Sequence, residues 1–266
     1  MRRITTLVLA LAAACLTCTA AFATPLPNSA VLHLRVFNDC PISILNTTNS
    51  FPASIVIDDE NQPPQPLCAG FANLHVWRFS TDGVNPIQFL NGDAFEYSCT
   101  LVLDGIAGEG GLNLSPWFGP DTDGLFNVRT TDGEIACFGG RMPFFTFTGA
   151  FGLHYVTGTP IQIGITYIPN GLSSVSPAQI VYNVRYASIN YTSGLLNFDQ
   201  GNPAEDPPHG LWGALNPWFA GGHMKMFVQT VGQPHGMKGT WSDIQYTTNP
   251  VSTAKSSWGE LKKLYR

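Results

Sequence analysis

The stretch DGLFNVRTTDGEIACFGG, residues 123–140, is the most informative part of the sequence for the fold. Asp132 and Gly133 lie between two segments in which apolar and polar residues alternate. An Asp-Gly pair in that setting predicts a type I′ hairpin turn, because both central residues of such a turn need a positive φ. With this turn, Val128 pairs with Cys137 across the hairpin.

Cross-strand partners share a face of a hairpin, so the alternation assigns the side chains of this stretch to two faces. The mostly apolar face receives Phe126, Val128, Thr130, Ile135 and Cys137. The polar face receives Asn127, Arg129, Thr131 and Glu134. On this interpretation Glu134 flanks the turn and pairs diagonally with Arg129.

The same alternation recurs along the chain and predicts the fold class. Segments rich in Val, Ile, Thr, Tyr and Phe are separated by Gly, Pro, Asn and Asp clusters, and helical periodicity is almost absent before residue 255. The pattern predicts an all-β protein, a two-sheet antiparallel sandwich. The predicted strands are 30–37, 53–58, 74–80, 94–105, 111–118, 125–130, 134–139, 160–168, 179–191, 223–231 and 240–247. Within 94–105, the inward positions are Phe95, Tyr97, Cys99, Leu101 and Leu103.

The first residues, MRRITTLVLALAAACLTCTAAFA, have the composition of a secretory signal peptide. Two arginines precede an apolar run that ends in an A-x-A site, which predicts cleavage after Ala23. No later segment has the roughly 18 consecutive apolar residues that a membrane-spanning helix needs. We therefore expect an exported protein, secreted, periplasmic or at the cell surface, with a signal peptide (1–23), one β-sandwich domain (24–250) and a tail (251–266).

Four cysteines follow the predicted cleavage site, namely Cys40, Cys68, Cys99 and Cys137. An oxidising compartment favours two disulfides, and four thiols allow three connectivities. Pairing Cys40 with Cys68 and Cys99 with Cys137 is favoured, because the second pair is expected on neighbouring strands. A zinc site is the weaker alternative, since no two of these cysteines have C-x-x-C spacing.

The charge distribution separates the body of the chain from its C-terminus. The formal net charge of −5 becomes −7 when Arg2 and Arg3 leave with the signal, so nucleic acid is an unlikely partner. In the tail, apolar residues recur at three- and four-residue steps beside two lysines, at Trp258, Leu261, Leu264 and Tyr265. This spacing predicts a short basic amphipathic helix, which is marginal in isolation, so we expect it to be disordered, docked on the body or bound by another protein such as a sorting partner.

Five segments together resemble a known superfamily. They are GFANLHVWRFSTDG (70–83), FEYSCTLVLDG (95–105), DGLFNVRTTDGEIACFGGRMPF (123–144), IQIGITYIPNG (161–171) and GTWSDIQYT (239–247). In this order they are similar to exported bacterial proteins of the concanavalin A-like jelly-roll superfamily, including laminin G-like members. The likeness spans roughly residues 31–248. It implies a jelly roll whose polar strand faces line a concave sheet, where the sugar-binding relatives hold their ligand.

The resemblance and the polar residues together predict binding of a polysaccharide or a cell-surface glycan. Tryptophan rings stack on sugars, whereas Arg and Asn side chains bond hydroxyls, although core packing is the competing role of each Trp. The long loop at 202–222 is a further candidate, because long ordered loops often carry function. The candidate ligand-binding residues are Trp77, Arg78, Trp117, Asn127, Arg129, Glu134, Asp206, His209 and Trp212.

A polysaccharide-active enzyme of the same fold is the second hypothesis. The retaining glucanases of this superfamily carry E-x-D-x-E on one strand, and the six glutamates here include no pair at i, i+2 or i, i+4. Glu96 and Glu134 could still meet across strands. Lyases of the fold use an Arg, an amide and a His or Tyr, and Arg129, Arg185, Gln229 and Tyr182 supply the residue types without the motifs. No catalytic residue is assigned. A structural surface or matrix component is the third hypothesis.

One short stretch raises the question of a metal. GPDTDG, residues 119–124, places Asp121 and Asp123 at alternate positions before a glycine, like the start of a calcium loop. Turn-forming aspartates are the competing interpretation. No other cofactor is predicted.

Overall fold

The computed structural model describes most of the predicted sandwich. The described residues are 26–35, 45–62, 71–105, 107–114, 124–139, 142–199, 212–214, 218–228 and 235–248. The signal peptide, Cys40, Cys68 and the tail lie outside these ranges. Within them, no helix has the length and the apolar composition that crossing a membrane requires.

The secondary structure is almost entirely β. The strands are β1 (Ser29–Arg35), β2 (Leu45–Ser50), β3 (Ser54–Gln62), β4 (Phe71–Ser80), β5 (Phe95–Gly105), β6 (Gly108–Leu114), β7 (Gly124–Arg129), β8 (Ile135–Gly139), β9 (Phe145–Thr146), β10 (Ile161–Ile168), β11 (Gln179–Tyr186), β12 (Ile189–Thr192), β13 (Leu196–Asn197), β14 (Ala220–Val228) and β15 (His235–Thr247). A five-residue helix, α1 (Phe147–Phe151), follows β9.

Two antiparallel sheets pack against each other. The seven-stranded sheet has the order β1-β4-β14-β6-β7-β8-β9. The eight-stranded sheet has the order β12-β11-β10-β5-β15-β3-β2, with β13 also paired to β11. Every pairing is antiparallel. The predicted all-β, two-sheet sandwich is therefore confirmed.

The core lies between the sheets and follows the predicted alternation. On β5 the five predicted inward side chains are buried, whereas Glu96, Ser98 and Thr100 are half-exposed. Trp77 of β4 and Trp241 of β15 meet edge to face, with ring centroids 6.3 Å apart. Gly222 of β14 leaves room for this pair, because a Cβ there would lie 2.8 Å from Trp241 Nε1. The Trp241 indole N–H donates to the Gly111 carbonyl of the facing sheet at 3.0 Å.

The β7–β8 hairpin has the predicted faces but not the predicted turn. Val128 pairs with Ile135 rather than with Cys137, so the register differs by two residues. Gly133 has φ +73°, whereas Asp132 is not among the residues with positive φ. The predicted type I′ turn is therefore wrong, because that turn needs positive φ at both central positions.

Side-chain hydrogen bonds account for the longer loop at residues 130–133. The Arg129 N–H donates to the Glu134 carbonyl at 2.9 Å and closes the loop. The Asp132 carboxylate accepts two bonds from the Arg129 guanidinium at 2.7 Å each, and one from the Glu134 N–H at 3.1 Å. A shift of two residues preserves the side-chain faces, so alternation alone does not distinguish the two registers.

The segment 179–191, predicted as one strand, is a hairpin of β11 and β12. Its turn residues, Ala187 and Ser188, have φ of +48° and +66°. Positive φ at both positions is the condition for a type I′ turn, which normally selects Gly or Asn. The sequence therefore contains no turn signal at this point.

The predicted disulfide between Cys99 and Cys137 is not formed. Both thiols are free and buried. Cys99 lies on β5 of the eight-stranded sheet and Cys137 on β8 of the seven-stranded sheet, so their strands are not neighbours. Burial raises the pKa of both thiols.

Candidate functional site

The outer face of the seven-stranded sheet carries a set of polar side chains that we call the outer polar array. Its members come from β4, β14, β6, β7 and the residue before β8. They are Arg78, Glu109, Asn113, Asn127, Arg129, Glu134, His223 and Lys225. These residues alternate along their strands with core residues such as Trp77, Leu112, Phe126 and Met224. Cross-strand partners share a face, so the register arranges the array in rows across the strands.

The first row joins Arg78 to Asn113 across β14. Both residues pair in register with Gly221, which has no side chain to separate them. Arg78 Nη1 donates to Asn113 Oδ1 at 2.7 Å, and both side chains are fully buried. The Arg78 guanidinium lies 5.9 Å from the centre of the Phe219 ring, within the range of a cation–π contact. This row places an amide and a guanidinium side by side on the sheet.

The second row joins His223 to Asn127 across Gly111. Asn127 Nδ2 donates to Glu109 Oε2 at 2.8 Å. Because a carboxylate only accepts, this bond fixes the amide orientation, and Asn127 Oδ1 then faces His223 Nε2 at 3.0 Å. The Nε2–H group of His223 is therefore the donor in that bond. Asn127 is the hub of the array, since it joins the second row to the third.

The imidazole of His223 is neutral at physiological pH. Burial is the main cause that holds its pKa well below the ordinary value. The charges of Lys225 and Arg78 lower the pKa further, against a smaller opposing effect of a hydrogen bond with the Leu112 backbone. The array therefore contains an uncharged histidine beside an amide.

The third row contains the charged pairs. Lys225 Nζ lies 3.4 Å from Glu109 Oε1. Arg129 binds the Asp132 carboxylate and also contacts Glu134. The hydrogen bond with Asp132 is the main cause that raises the pKa of Arg129 and lowers the pKa of Asp132. Each cation of this row is thus bonded to at least one carboxylate.

Exposure of the side chains to solvent increases from the first row of the array to the third. The side chains of Arg78, Asn113 and His223 are completely buried. The third row is partly accessible, with 23% of the Lys225 side chain exposed and 34% of Arg129. The Asp132 side chain is 54% exposed at the hairpin loop. Solvent therefore reaches the array from the β7–β8 loop.

The array unites four of the predicted ligand-binding residues, and the remaining candidates lie elsewhere. Arg78, Asn127, Arg129 and Glu134 are the four. Trp77 points inward and is completely buried in the core. Trp212 is half-buried, and its backbone bonds to Asp199 and Ala178. The remaining candidates, Trp117, Asp206, His209 and the proposed calcium ligands Asp121 and Asp123, lie outside the described residues.

The groups of residues that the sequence offered for a glucanase or a lyase do not come together on this face. Glu96 lies on the eight-stranded sheet, so it cannot meet Glu134 on the other sheet. Tyr182 is buried in the core and donates to the Pro143 carbonyl at 3.0 Å. Arg185 is exposed on β11, and Gln229 lies outside the described residues. Among the described residues, no cluster of His, Cys, Asp or Glu is arranged to hold a metal ion.

Sequence reasoning missed half of the array. It began the predicted strand of this segment at residue 111 and so excluded Glu109, which lies on β6. It also left out Asn113, His223 and Lys225, although His223 and Lys225 alternate with the core residues Met224 and Met226. The alternation indicated their face. What it did not indicate was that β14 lies between β4 and β6.

Comparison with known proteins adds a likeness of fold. No model of a known protein family matches the sequence, and no curated protein matches it. Among solved structures, the chain is similar to the family 7 alginate lyase A1-II′ in complex with substrate. That match has 12% identity, a TM-score of 0.45, and coverage of 83% of this chain and 94% of that chain.

Two further structures extend the comparison. A functionally unknown protein from Saccharomyces cerevisiae has 9% identity, a TM-score of 0.43, and coverage of 77% of this chain and 93% of that chain. A seed lectin of Lotus tetragonolobus has 8% identity, a TM-score of 0.37, and coverage of 86% and 97%. All three TM-scores are below 0.5, so these matches carry no argument about function. The class of the protein, a two-sheet antiparallel sandwich with a polar outer face, rests on its own strands and contacts.

Proposed function

We propose that this protein binds a polysaccharide or a cell-surface glycan on the outer face of the seven-stranded sheet. The outer polar array is the observation that carries the proposal. Burying polar side chains costs free energy unless they are hydrogen-bonded, so folding alone would favour apolar side chains at these buried positions. Instead, Arg78, Asn113, Asn127 and His223 are held by one another on the outer side of the sheet. These buried groups hold the face in place, and the accessible third row offers a guanidinium, an ammonium and carboxylates to the hydroxyls of a sugar.

The partly exposed Arg129 is the member of the array best placed for a first contact with ligand. Its Nε and Nη2 atoms are bonded to Asp132 and Glu134. Its Nη1 atom makes no hydrogen bond with any described residue, so two N–H donors remain for a ligand. The two carboxylates also fix the direction of the guanidinium, which reduces the side-chain entropy lost on binding.

The proposed location is outside the cytoplasm, where such polymers occur. The predicted signal peptide at 1–23 supports export. A protein beginning at residue 24 is therefore the appropriate material for binding experiments.

The test is affinity electrophoresis of the 24–266 protein in gels containing individual polysaccharides. Arg129→Ala is expected to weaken retention by about 5–150-fold, the equivalent of about 1–3 kcal/mol for a charge-assisted hydrogen bond. Arg185→Ala is the matched control, because Arg185 is exposed on the other sheet and should leave retention unchanged. Equal loss in both variants would contradict the proposed face. No retention by any polymer would instead favour a structural surface or matrix role.

A polysaccharide lyase is the second candidate, and His223 is the observation that favours it. A neutral imidazole can accept a proton, and a nearby amide and guanidinium can stabilise a uronate carboxylate. His223 has this state, and Asn127 and Arg78 are its neighbours in the array. All three side chains are buried, so this activity requires the outer face to open for substrate. Incubation with uronate polymers and detection of unsaturated products by ultraviolet absorbance tests this activity. Product formed by the parent and lost in His223→Gln would support it.

A further inference from the structure

The charges at the accessible end of the outer polar array indicate which class of glycan it accepts. Three carboxylates lie there, on Glu109, Asp132 and Glu134, against two cations, Lys225 and Arg129. Both cations are already bonded to carboxylates. We infer that the ligand of this face is a neutral, hydroxyl-rich glycan rather than a uronate polymer, an inference that rests on the proposed function.

Hydrogen-bonding capacity supports this inference. An ionised carboxylate only accepts hydrogen bonds, whereas a sugar hydroxyl both donates and accepts. A neutral sugar can therefore donate to Asp132 or Glu134, whose side chains are 54% and 37% exposed, and accept from the free Nη1 group of Arg129. A uronate carboxylate offers acceptors alone, so it would compete with Asp132 and Glu134 for Arg129 and leave their oxygens facing its own negative charge.

Electrostatics points in the same direction. The five charged groups of this end have a net charge of −1, and the whole chain has a formal net charge of −5. These five side chains form two groups of ion pairs, Lys225 with Glu109 and Arg129 with Asp132 and Glu134. Glu109 and Arg129 pair in register on adjacent strands about 5 Å apart, so the two groups lie close on the scale of the Debye length of about 8 Å at physiological ionic strength. An anionic polymer would therefore approach a surface of its own sign, which slows association and weakens binding.

The experiment compares neutral and uronate polymers on the same protein. The 24–266 protein is run in affinity gels containing a β-glucan, a galactomannan, alginate or polygalacturonate, each at low and high salt. We expect retention by at least one neutral polymer that changes little with salt, and no retention by either uronate polymer. Preferential retention by a uronate polymer, weakened by salt, would overturn the inference while leaving the proposed function intact. No retention by any of the four polymers would overturn both.

A pair of double variants separates local charge from net charge. Asp132→Asn with Glu134→Gln removes two carboxylates at the accessible end, and we expect this variant to be retained measurably by alginate, which should not retain the parent. Asp104→Asn with Glu96→Gln removes the same charge from β5 of the other sheet, and we expect no such retention. Equal gains in both double variants would show that net charge, not the array, excludes the uronate. Thermal unfolding of each variant confirms that it is folded.

Discussion

Asn127→Leu is the substitution that most directly tests whether the outer polar array is held together as described. The Asn127 amide donates to Glu109 at 2.8 Å and accepts from His223 at 3.0 Å, and its residue is 2% exposed. Leucine has a similar volume but no hydrogen-bonding group, so both partners lose a bond inside a buried site. An unsatisfied buried polar group costs about 1–3 kcal/mol. Glu109 keeps Lys225 as a partner, so we expect a total loss of about 2–4 kcal/mol.

Chemical denaturation monitored by tryptophan fluorescence measures this loss as a change in the free energy of unfolding. In thermal scans the same change corresponds to a fall of about 5–15 °C in the melting temperature. Asn183→Leu is the matched control, because Asn183 is half-exposed on the outer face of the other sheet and its side chain bonds to no described residue. We expect that control to remain within about 0.5 kcal/mol of the parent. Equal stability of the two variants would refute the role given to Asn127.

Three further predictions concern the turn, a buried tyrosine and the thiols. Gly133→Ala should destabilise the protein more than Gly158→Ala, because both glycines have positive φ but only at 133 would a Cβ approach a backbone atom, the Tyr155 oxygen at 2.6 Å; equal losses in denaturation experiments would contradict this contact. Burial raises the pKa of Tyr155 to about 12, so its contribution to stability should be complete below about pH 10 and disappear as the pH rises towards 12. Burial also raises the pKa of Tyr97, Tyr167, Tyr182 and Tyr246, so Tyr155→Phe should show a smaller loss of stability than the parent when unfolding is measured across this range, and an equal loss would contradict the role of Tyr155. Cys99 and Cys137 should react with a thiol reagent only after unfolding, and peptide mapping that finds them joined would contradict the structure.

The alternation in the sequence predicted the faces of the strands because it depends only on local spacing. The alternate residues of β5 from Phe95 to Leu103 lie on the core side as predicted, and so do Phe126, Val128, Ile135 and Cys137. Asn127 and Arg129 lie on the outer side, also as predicted. The same spacing could not fix the β7–β8 register, because a shift of two residues leaves every side chain on its face. The hydrogen bonds of Asp132 decide the register, and they form only in the folded loop.

The local pattern of the sequence could not predict which strands lie beside one another in the two sheets. His223 and Asn127 are 96 residues apart, and they meet only because β14 joins the sheet between β4 and β6. The error at Cys99 and Cys137 has the same origin, since both were correctly placed facing the core but not on opposite sheets. Local pattern indicates the face of a residue, whereas chain topology decides what lies beside it.

The bond between Trp241 and Gly111 connects the core with the proposed binding face. The indole belongs to the eight-stranded sheet, and the carbonyl that it binds belongs to the residue that lies between His223 and Asn127 in the second row. Substitutions at Trp241 should therefore alter affinity for the proposed ligand as well as stability, although the Trp241 side chain is buried in the core. Selection for tighter binding of the proposed glycan should accordingly recover changes at Trp241 and at its neighbour Trp77, so that core and surface positions of this protein change together.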